Sequence, residues 1–189
     1  ELYYNNDNFV INGGTLRYSG GTAGSANTGG RGLTVGALGA TFDSATAGVT
    51  WYLQDSGTAS YRAVFNGNVA FSGAGDIHFA HAITGTGSLT KTGTGKLTLT
   101  GANTYSGGTT ISAGTIEIGT TDAGAVGTNG TLGYGNVVNN GALVINRSNT
   151  YLLAGVLSGN GSLTKQGSGL FGLTNANTYT GNTTLWAGT

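Results

Sequence analysis

The sequence predicts an all-β solenoid, in which short strands form successive coils that stack on one another. The first observation is an internal repeat: residues 83–115 return as residues 157–189, with an offset of 74 residues, no gap and 20 identities in 33 positions. The second is that both copies alternate short apolar or β-branched runs with Gly, Asn and Ser. The third is that no segment places apolar residues at i, i+3, i+4 and i+7 over the length of a helix.

Strand periodicity is clearest in the first copy, where Leu97 and Leu99 alternate with Lys96 and Thr98. A period of two is typical of a strand with one buried face, and residues 115–118 follow the same rule. Gly and Asn between these runs tolerate positive φ and predict tight corners. The residues expected to point inward are Leu97, Leu99, Ile111, Ile116, Ile118, Leu143 and Ile145, with Lys96 and Glu117 pointing outward.

A strand-and-corner unit of this size cannot bury its own apolar face, so it must stack on the next unit. At roughly 20 to 25 residues per coil, the 74-residue repeat spans about three coils and the 189-residue chain about eight. The chain ends at Thr189, where the first copy continues into Ile116, and it begins at Glu1 without a signal peptide. We therefore expect residues 1–189 to be a single segment of a longer chain.

Residues 1–82 predict less regular coils with loops. The strand candidates there are 9–11, 15–18, 33–35, 49–53, 61–65 and 69–71. Two loop candidates stand out along the chain, at 19–32 and 119–135. Excursions from a regular scaffold are where function tends to lie, although tolerated insertions are an equal alternative.

Composition argues against several classes of function. Gly, Thr, Asn and Ser make up 100 residues, and the 14 charged residues cancel to a net charge of zero, so attraction to nucleic acid is not expected. Without Cys there is no disulfide and no thiolate metal site. His78 and His81, the only histidines, would point to opposite faces of a strand and would not chelate one metal. We expect no metal and no cofactor.

No catalytic motif is complete. Residues 55–57, Asp-Ser-Gly, follow Gln54 where a serine protease has Gly, and no His lies upstream. Residues 93–96 lack the earlier Gly and the following Ser or Thr of a phosphate loop. The seven carboxylates, Glu1, Asp7, Asp43, Asp55, Asp76, Glu117 and Asp122, are scattered. A fold could still bring two of them together as in glycosidases, but we expect no enzyme.

The repeat has a specific pattern, G-x-G-S-L-T-K-x-G-x-G followed by L-T-x-A-N-T-Y-x-G-x-T-T and A-G-T. The second copy departs from the first at residues 170–172, Asn175 and Trp186. This pattern resembles the passenger-associated transport repeat of bacterial autotransporter (type V secretion) passengers, over about a third of the chain. The residues of the first copy that carry the resemblance are Gly85, Gly87, Ser88, Leu89, Thr90, Lys91, Gly93, Gly95, Leu99, Thr100, Ala102, Asn103, Thr104, Tyr105, Gly107, Thr109, Thr110, Ala113, Gly114 and Thr115.

The resemblance implies a right-handed parallel β-helix of about eight coils. It also implies transport through an outer-membrane barrel that lies C-terminal to this sequence, with coils folding progressively outside. The protein would then be exposed at the bacterial surface or secreted, commonly as a virulence-associated adhesin for host cells or extracellular matrix. The alternatives are a self-association module that drives bacterial aggregation, or a polysaccharide-acting enzyme on the same fold.

We expect the repeat residues to be structural, because equivalent positions in two copies are what stacking requires. The alternative for Asn103, Tyr105 and their equivalents is a carbohydrate or receptor surface. In the first copy the structural residues are Gly85, Gly87, Leu89, Gly93, Leu99, Asn103, Tyr105, Gly107 and Gly114. In the second they are Gly159, Gly161, Leu163, Gly167, Leu173, Asn177, Tyr179, Gly181 and Gly188.

Overall fold

The computed structural model describes residues 9–27, 32–54, 62–120 and 130–189, and within these ranges every regular element is a β-strand. The strands form three long faces, named A, B and C in the order in which each coil visits them. Face B carries β2 (Thr15–Tyr18), β5 (Ala40–Ser44), β8 (Val69–Ser72), β11 (Leu89–Lys91), β13 (Thr109–Ile111), β15 (Val137–Asn139) and β18 (Leu157–Ser158).

Face C has a strand in every coil. Its members are β3 (Gly24–Asn27), β6 (Thr50–Gln54), β9 (Asp76–Phe79), β12 (Lys96–Leu99), β14 (Thr115–Ile118), β16 (Ala142–Asn146), β19 (Ser162–Gln166) and β21 (Thr183–Leu185). All the strand pairings are parallel. The expected parallel β-helix is therefore confirmed, and the eight strands of face C count eight coils.

Face A is interrupted. It begins with β1 (Phe9–Ile11), β4 (Leu33–Val35), β7 (Arg62–Phe65) and β10 (Ala82–Thr84), and it resumes with β17 (Tyr151–Leu153) and β20 (Phe171–Leu173). Between them two coils pass without forming strands, but their backbones still bond: Thr104 N donates to Ile83 O and Tyr134 N to Tyr105 O. The side chains of the repeat replace regular pairing there, as described below.

The core consists of columns of apolar side chains that run along the helix axis. Because the register is parallel, inward residues of successive coils stack directly, as Ile77, Leu97, Ile116, Leu143 and Leu163 do on face C. The early coils fill the same space with aromatic rings. Their ring pairs, with centroids 5.5 to 6.2 Å apart, join Phe42, Phe65, Phe71 and Phe79. All seven residues predicted to point inward are fully buried.

The outward prediction for Glu117 needs a correction. Glu117 does lie on the outer side of face C, between Thr98 and Val144, but only 7% of its surface is exposed. Its carboxylate accepts hydrogen bonds from Lys96 Nζ and Asn146 Nδ2, each at 2.8 Å. The alternation rule assigned its side correctly but could not show these partners, which come from neighbouring coils.

The loop predictions are also partly wrong. Residues 24–27, inside the predicted loop 19–32, form β3, because the backbone pairs in parallel with residues 51–54 of the next coil. Of the predicted loop 119–135, residues 121–129 lie outside the described residues, as do Asp55–Gly57 and Tyr61. Among the described residues there is no helical segment with the length and apolarity needed to span a bilayer.

Candidate functional site

The two copies of the repeat lie on different faces of the β-helix. Residues 89–91 form β11 on face B, whereas the equivalent residues 163–165 lie in β19 on face C. The register pairs Leu89–Thr109, Thr109–Val137 and Val137–Leu157 complete three coils, and the next six residues carry the chain to Leu163. The 74-residue offset thus spans three coils plus one face, where the sequence predicted about three coils.

The corners of the two copies are alike although the faces differ. Gly85 and Gly159 have φ values of 101° and 100°, and Gly114 and Gly188 have 68° and 74°. Residues other than glycine rarely adopt such positive φ values, because their Cβ clashes with the backbone. The repeat therefore bends the chain in the same way at these two corners, A–B and B–C in the first copy and B–C and C–A in the second. The equivalent glycines Gly93 and Gly167 differ, since Gly167 has a φ of 69° and Gly93 has no positive φ.

Other repeat glycines allow close stacking of one corner on the next. A Cβ at Gly107 would collide with the carbonyl oxygen of Gly87, and one at Gly181 with that of Gly161. The same applies to Gly93 against Gly73. The remaining members of this group are Gly87, Gly161 and Gly167, which meet the backbones of Gly67, Gly141 and Arg147. Backbone-to-backbone stacking of corners leaves no room for side chains at these positions.

The two repeat asparagines bond the preceding coil in the same way. Asn103 Oδ1 accepts a hydrogen bond from Ile83 N at 2.8 Å, and Asn177 Oδ1 accepts one from Leu157 N at 2.7 Å, in each case 20 residues back. Asn103 also donates from Nδ2 to Thr131 O at 2.6 Å. Its amide therefore joins three successive coils on face A, where it substitutes for strand pairing, and the side chain is buried.

The repeat tyrosines also match. Tyr105 OH lies 2.6 Å from Thr109 Oγ1, and Tyr179 OH lies 2.8 Å from Thr183 Oγ1. Tyr105 is fully buried in the core, and burial raises the pKa of its hydroxyl. Tyr179 makes the same contact in the last coil but is only partly buried. Both rings pack against the interior with their hydroxyls bonded across one corner.

A third matched pair, Lys91 and Lys165, was not among the site residues predicted from sequence. Both side chains point inward, with exposed fractions of 2% and 4%. Lys91 lies in the core column between Phe71 and Ile111. Burial lowers the pKa of Lys91 to about 8, against the opposing effect of Asp76. The signal was present in the Leu-Thr-Lys run, because a period of two places Lys on the same side as Leu89.

Backbone carbonyls bind these ammonium groups. Lys91 Nζ donates to Gly93 O, and Lys165 Nζ donates to Gln166 O, to Gly167 O at 2.7 Å and to Ala187 O at 3.4 Å. Each lysine thus bonds the corner that follows its own strand. Lys165 also reaches the corner of the next coil.

The acidic residues of the described ranges are engaged in structural contacts. Asp43 accepts from Arg17 and Ser72, and Asp76 Oδ1 accepts from Lys96 N at 2.7 Å. Among the described residues no three His, Cys, Asp or Glu side chains come together as metal ligands. Glu1, Asp7, Asp55 and Asp122 lie outside the described residues.

The two histidines take separate partners. His78 Nε2 lies 3.3 Å from Thr100 Oγ1 and the ring packs against Tyr52, whereas His81 packs edge-on against Phe79. His78 is on the outer side of face C and His81 at the corner that follows β9.

A family model for the passenger-associated transport repeat matches residues 89–118 and 163–189, which contain the equivalent corners at Gly114 and Gly188. The protein named "Adhesin BmaC autotransporter" of Brucella suis biovar 1 (strain 1330) is 46% identical over 61 residues. These two matches support an autotransporter passenger fragment. The match covers 32% of this chain and 2% of the Brucella protein, so the chain corresponds to a small part of that relative's length. No solved structure matches.

Recognition of the family from sequence is therefore confirmed, and with it the cellular location. An autotransporter passenger is exposed at the bacterial surface or secreted. The matched segments of this passenger contain Leu89, Asn103, Tyr105 and both buried lysines. The matches thus coincide with the residues that build corners and join coils.

Proposed function

We propose that this passenger segment is a non-enzymatic folding and presentation unit of an adhesin that contacts host cells or extracellular matrix. The observation that carries the proposal is that the distinctive repeat residues make their contacts inside the β-helix, with neighbouring coils. The amides of Asn103 and Asn177 bond neighbouring coils, and the repeat glycines face backbone. The outer positions that remain are mostly Thr, Ser and Gly, which are poor anchors for tight interfaces.

The adhesin part of the proposal draws support from the relative, whose printed name is an adhesin. The non-enzymatic part draws support from the acids on the outer faces of the described coils, of which Asp43 and Glu117 are buried. Asp43, Asp76 and Glu117 each hold a hydrogen bond to a neighbouring coil. Carboxylates in such contacts stabilise strand stacking and are poorly placed to transfer protons.

Partner contacts are assigned to two excursions, the residues of 19–32 that lie outside β3 and the residues between Gly119 and Gly130. The second excursion leaves and re-enters the stack at one place, since a Cβ at Gly130 would lie 2.7 Å from Gly119 N. Arg147, from the next coil, holds the junction of Gly119 and Gly130 in place. Its Nη1 donates to Gly130 O at 2.7 Å and its guanidinium stacks over Tyr151. On the other side of this junction, Thr131 is hydrogen-bonded to Asn103 of the preceding coil. Because both ends of the excursion are fixed at this junction, the residues between Gly119 and Gly130 can vary without disturbing the coils.

Self-association is a second candidate, favoured by one observation. The outer column of face B runs through Ala70, Thr90, Thr110, Val138 and Ser158 without a charge. Like charges would not oppose the packing of a second copy against this side. Replacing Thr90 and Thr110 by Lys tests this candidate, because it should abolish aggregation if face B mediates it and leave host adhesion intact.

Two classes of variant in the full-length displayed protein test the main proposal. Leu89→Asp with Leu163→Asp should block folding and lower surface display, since both leucines are buried in the core. Removing residues 122–128 should leave display intact and weaken adhesion. Unchanged adhesion after this deletion, together with loss of adhesion after outer Thr→Ala changes in the repeats, would show that the coils themselves bind the partner.

A further inference from the structure

Tyr134 is an exposed aromatic residue in the middle of the stack, with 64% of its surface open to solvent. Among the described residues the other exposed aromatic side chains, Phe9 and Trp186, lie in the first and the last coil. Tyr134 has a coil on either side, so its exposure is a property of its corner and not of an end of the stack. It also lies outside both copies of the repeat, whose tyrosines pack inward.

The backbone of the A–B corner that carries Tyr134 is held closely by the preceding coil. Tyr134 N donates to Tyr105 O at 2.9 Å. A Cβ at Gly133 would collide with that same carbonyl oxygen, and one at Gly135 would collide with Gly107 O. The tyrosine side chain therefore projects from a fixed backbone, which lowers the entropy that is lost when a ligand binds to it.

The residues beside Tyr134 on the neighbouring coils are small. The backbone hydrogen bond from Tyr134 N places Ser106 next to it in the preceding coil. In the following coil Gly155 stacks on Gly135, which places Ala154 next to Tyr134. Both small residues are exposed. Because successive coils are about 4.8 Å apart, these neighbours leave room beside the tyrosine ring for a flat ligand.

An oriented amide lies on the same outer side, two residues further along the chain. Tyr134, Asn136 and Val138 are all exposed, whereas Val137 is buried. Asn136 Oδ1 accepts a hydrogen bond from Val156 N at 3.0 Å. This bond fixes the amide and directs Nδ2, which has two hydrogens to donate, away from Val156 N. The corner thus presents an aromatic ring and a hydrogen-bond donor next to each other.

We propose that Tyr134 and Asn136 bind a neutral sugar ring of a host glycan, an inference that rests on the proposed function because it names the chemical class of the adhesin's partner. One face of a pyranose ring carries C–H groups that pack on an aromatic ring, and its edge carries hydroxyls that accept hydrogen bonds from an amide. The described residues around the tyrosine ring are uncharged, namely Ser106, Asn136, Val138, Ala154 and Val156. These residues offer no cation to a sulfated or sialylated glycan, which favours a neutral one.

The place of the site in the chain links it to the excursion between Gly119 and Gly130. Tyr134 follows Gly130 by four residues in the same coil, a distance of about 13 Å along an extended chain. A protein partner would require a broad apolar patch with several anchoring side chains. The described residues of this corner supply one aromatic ring, one amide and small side chains, a set that matches a single sugar ring.

Binding of sugar conjugates to bacteria that display the full-length protein tests the proposal. The probes are fluorescent albumin conjugates that carry galactose, glucose, mannose or N-acetylglucosamine, and unconjugated albumin is the blank. We expect at least one conjugate to bind. Tyr134→Ala should raise its half-saturating concentration by about tenfold or more, whereas Tyr134→Phe, which keeps the ring, should change it little. Asn136→Asp keeps the acceptor for Val156 N but removes the Nδ2 donor, and it should also weaken binding.

Leu38→Ala is the matched control, because Leu38 is an exposed apolar residue at the same A–B corner four coils earlier. It should leave binding unchanged, and all variants should be displayed equally. Binding of no conjugate, or equal binding by the Tyr134→Ala protein, would overturn the proposal.

Host-cell adhesion separates failure of the sugar site from failure of the proposed function. If only the sugar site is wrong, removing residues 122–128 still weakens adhesion and Tyr134→Ala does not. If Tyr134→Ala weakens adhesion but no conjugate binds, the partner at this corner is not a neutral sugar and the proposal is contradicted. If neither change affects adhesion, the proposed function fails together with the sugar site.

Discussion

Lys91 and Gly114 meet where two successive corners stack: a Cβ at Gly114 would lie 3.0 Å from Lys91 Nζ, and the φ of Gly114 is 68°. The repeat thus places a buried charged residue against a glycine that follows it by 23 residues, and the carbonyl oxygens of Gly93 and Gly95 lie closer still to the position of that Cβ. The same relationship recurs between Lys165 and Gly188. Mutation of the glycine measures how strongly this corner constrains the stack.

Gly114→Ala should destabilise the protein by about 1 to 3 kcal/mol, since it combines a left-handed backbone with a clash against the preceding corner. Two control variants separate these effects. Gly48 also has a positive φ, 74°, but a Cβ added there meets no atom within 4 Å. Gly21 has neither a positive φ nor a neighbour within 4 Å of an added Cβ. Denaturant unfolding should give the order Gly114 > Gly48 > Gly21 in lost free energy of unfolding. Equal losses at Gly48 and Gly114 would show that corner contacts contribute nothing.

Leu99→Ala should lower the free energy of unfolding by about 2 to 5 kcal/mol, because it opens a cavity in a fully buried column. Leu152→Ala removes the same atoms from a side chain that is 54% exposed and should have a small effect. Thermal or denaturant unfolding of both variants makes the comparison. A small loss at Leu99 would contradict the assignment of this column to the core.

Asn103→Ala should cost about 1 to 3 kcal/mol, because it leaves the buried Ile83 N–H without its acceptor. The cost should exceed that of Asn160→Ala, whose side chain is exposed. Amide hydrogen exchange at Ile83 gives a local readout: it should accelerate in the Asn103 variant and stay slow in the control. Unchanged protection of this amide would contradict the role assigned to Asn103.

The buried Lys91 makes stability depend on pH in a defined direction. Its pKa is lowered in the folded protein, from 10.5 to about 8, so the unfolded chain binds the proton more tightly. The free energy of unfolding should therefore rise as pH increases from about 8 to 10, by at most about 3 kcal/mol. Above pH 10 the raised pKa of Tyr105 acts in the opposite sense, since the folded protein holds that proton longer. Burial also lowers the pKa of Lys165, which acts in the same direction as Lys91. Lys91→Met should therefore reduce the rise between pH 8 and 10, and a rise of the same size in this variant would exclude Lys91 as its source.

Sequence reasoning predicted the fold because two local rules were enough. The period of two in Leu97, Leu99, Ile116 and Ile118 predicted which side of each strand is buried. The internal repeat predicted that successive coils stack on one another. Coil number followed from length. The rotation between copies could not follow from the offset of 74, because coils differ in length: Leu89 to Thr109 takes 20 residues and Thr109 to Val137 takes 28.

The less predictable features depend on contacts between coils. Glu117 is buried on an outer face because Lys96 and Asn146, from the coils on either side, bond it. Residues 24–27 look like a loop in sequence but pair with residues 51–54. Charged and Gly-rich residues give little local signal in such places, since their conformation is set by a partner many residues away.

The central claim is that the two copies of the repeat perform the same structural task on adjacent faces. The most direct test is to identify which residue lies beside Thr164 in the neighbouring coil. Thr164 is the equivalent of Thr90 in the second copy. With the second copy on face C, Thr164→Cys should form a disulfide with Val144→Cys, its register partner, and none with Val138→Cys on face B. The reverse result, closure with position 138 and not with 144, would place both copies on one face and contradict the account.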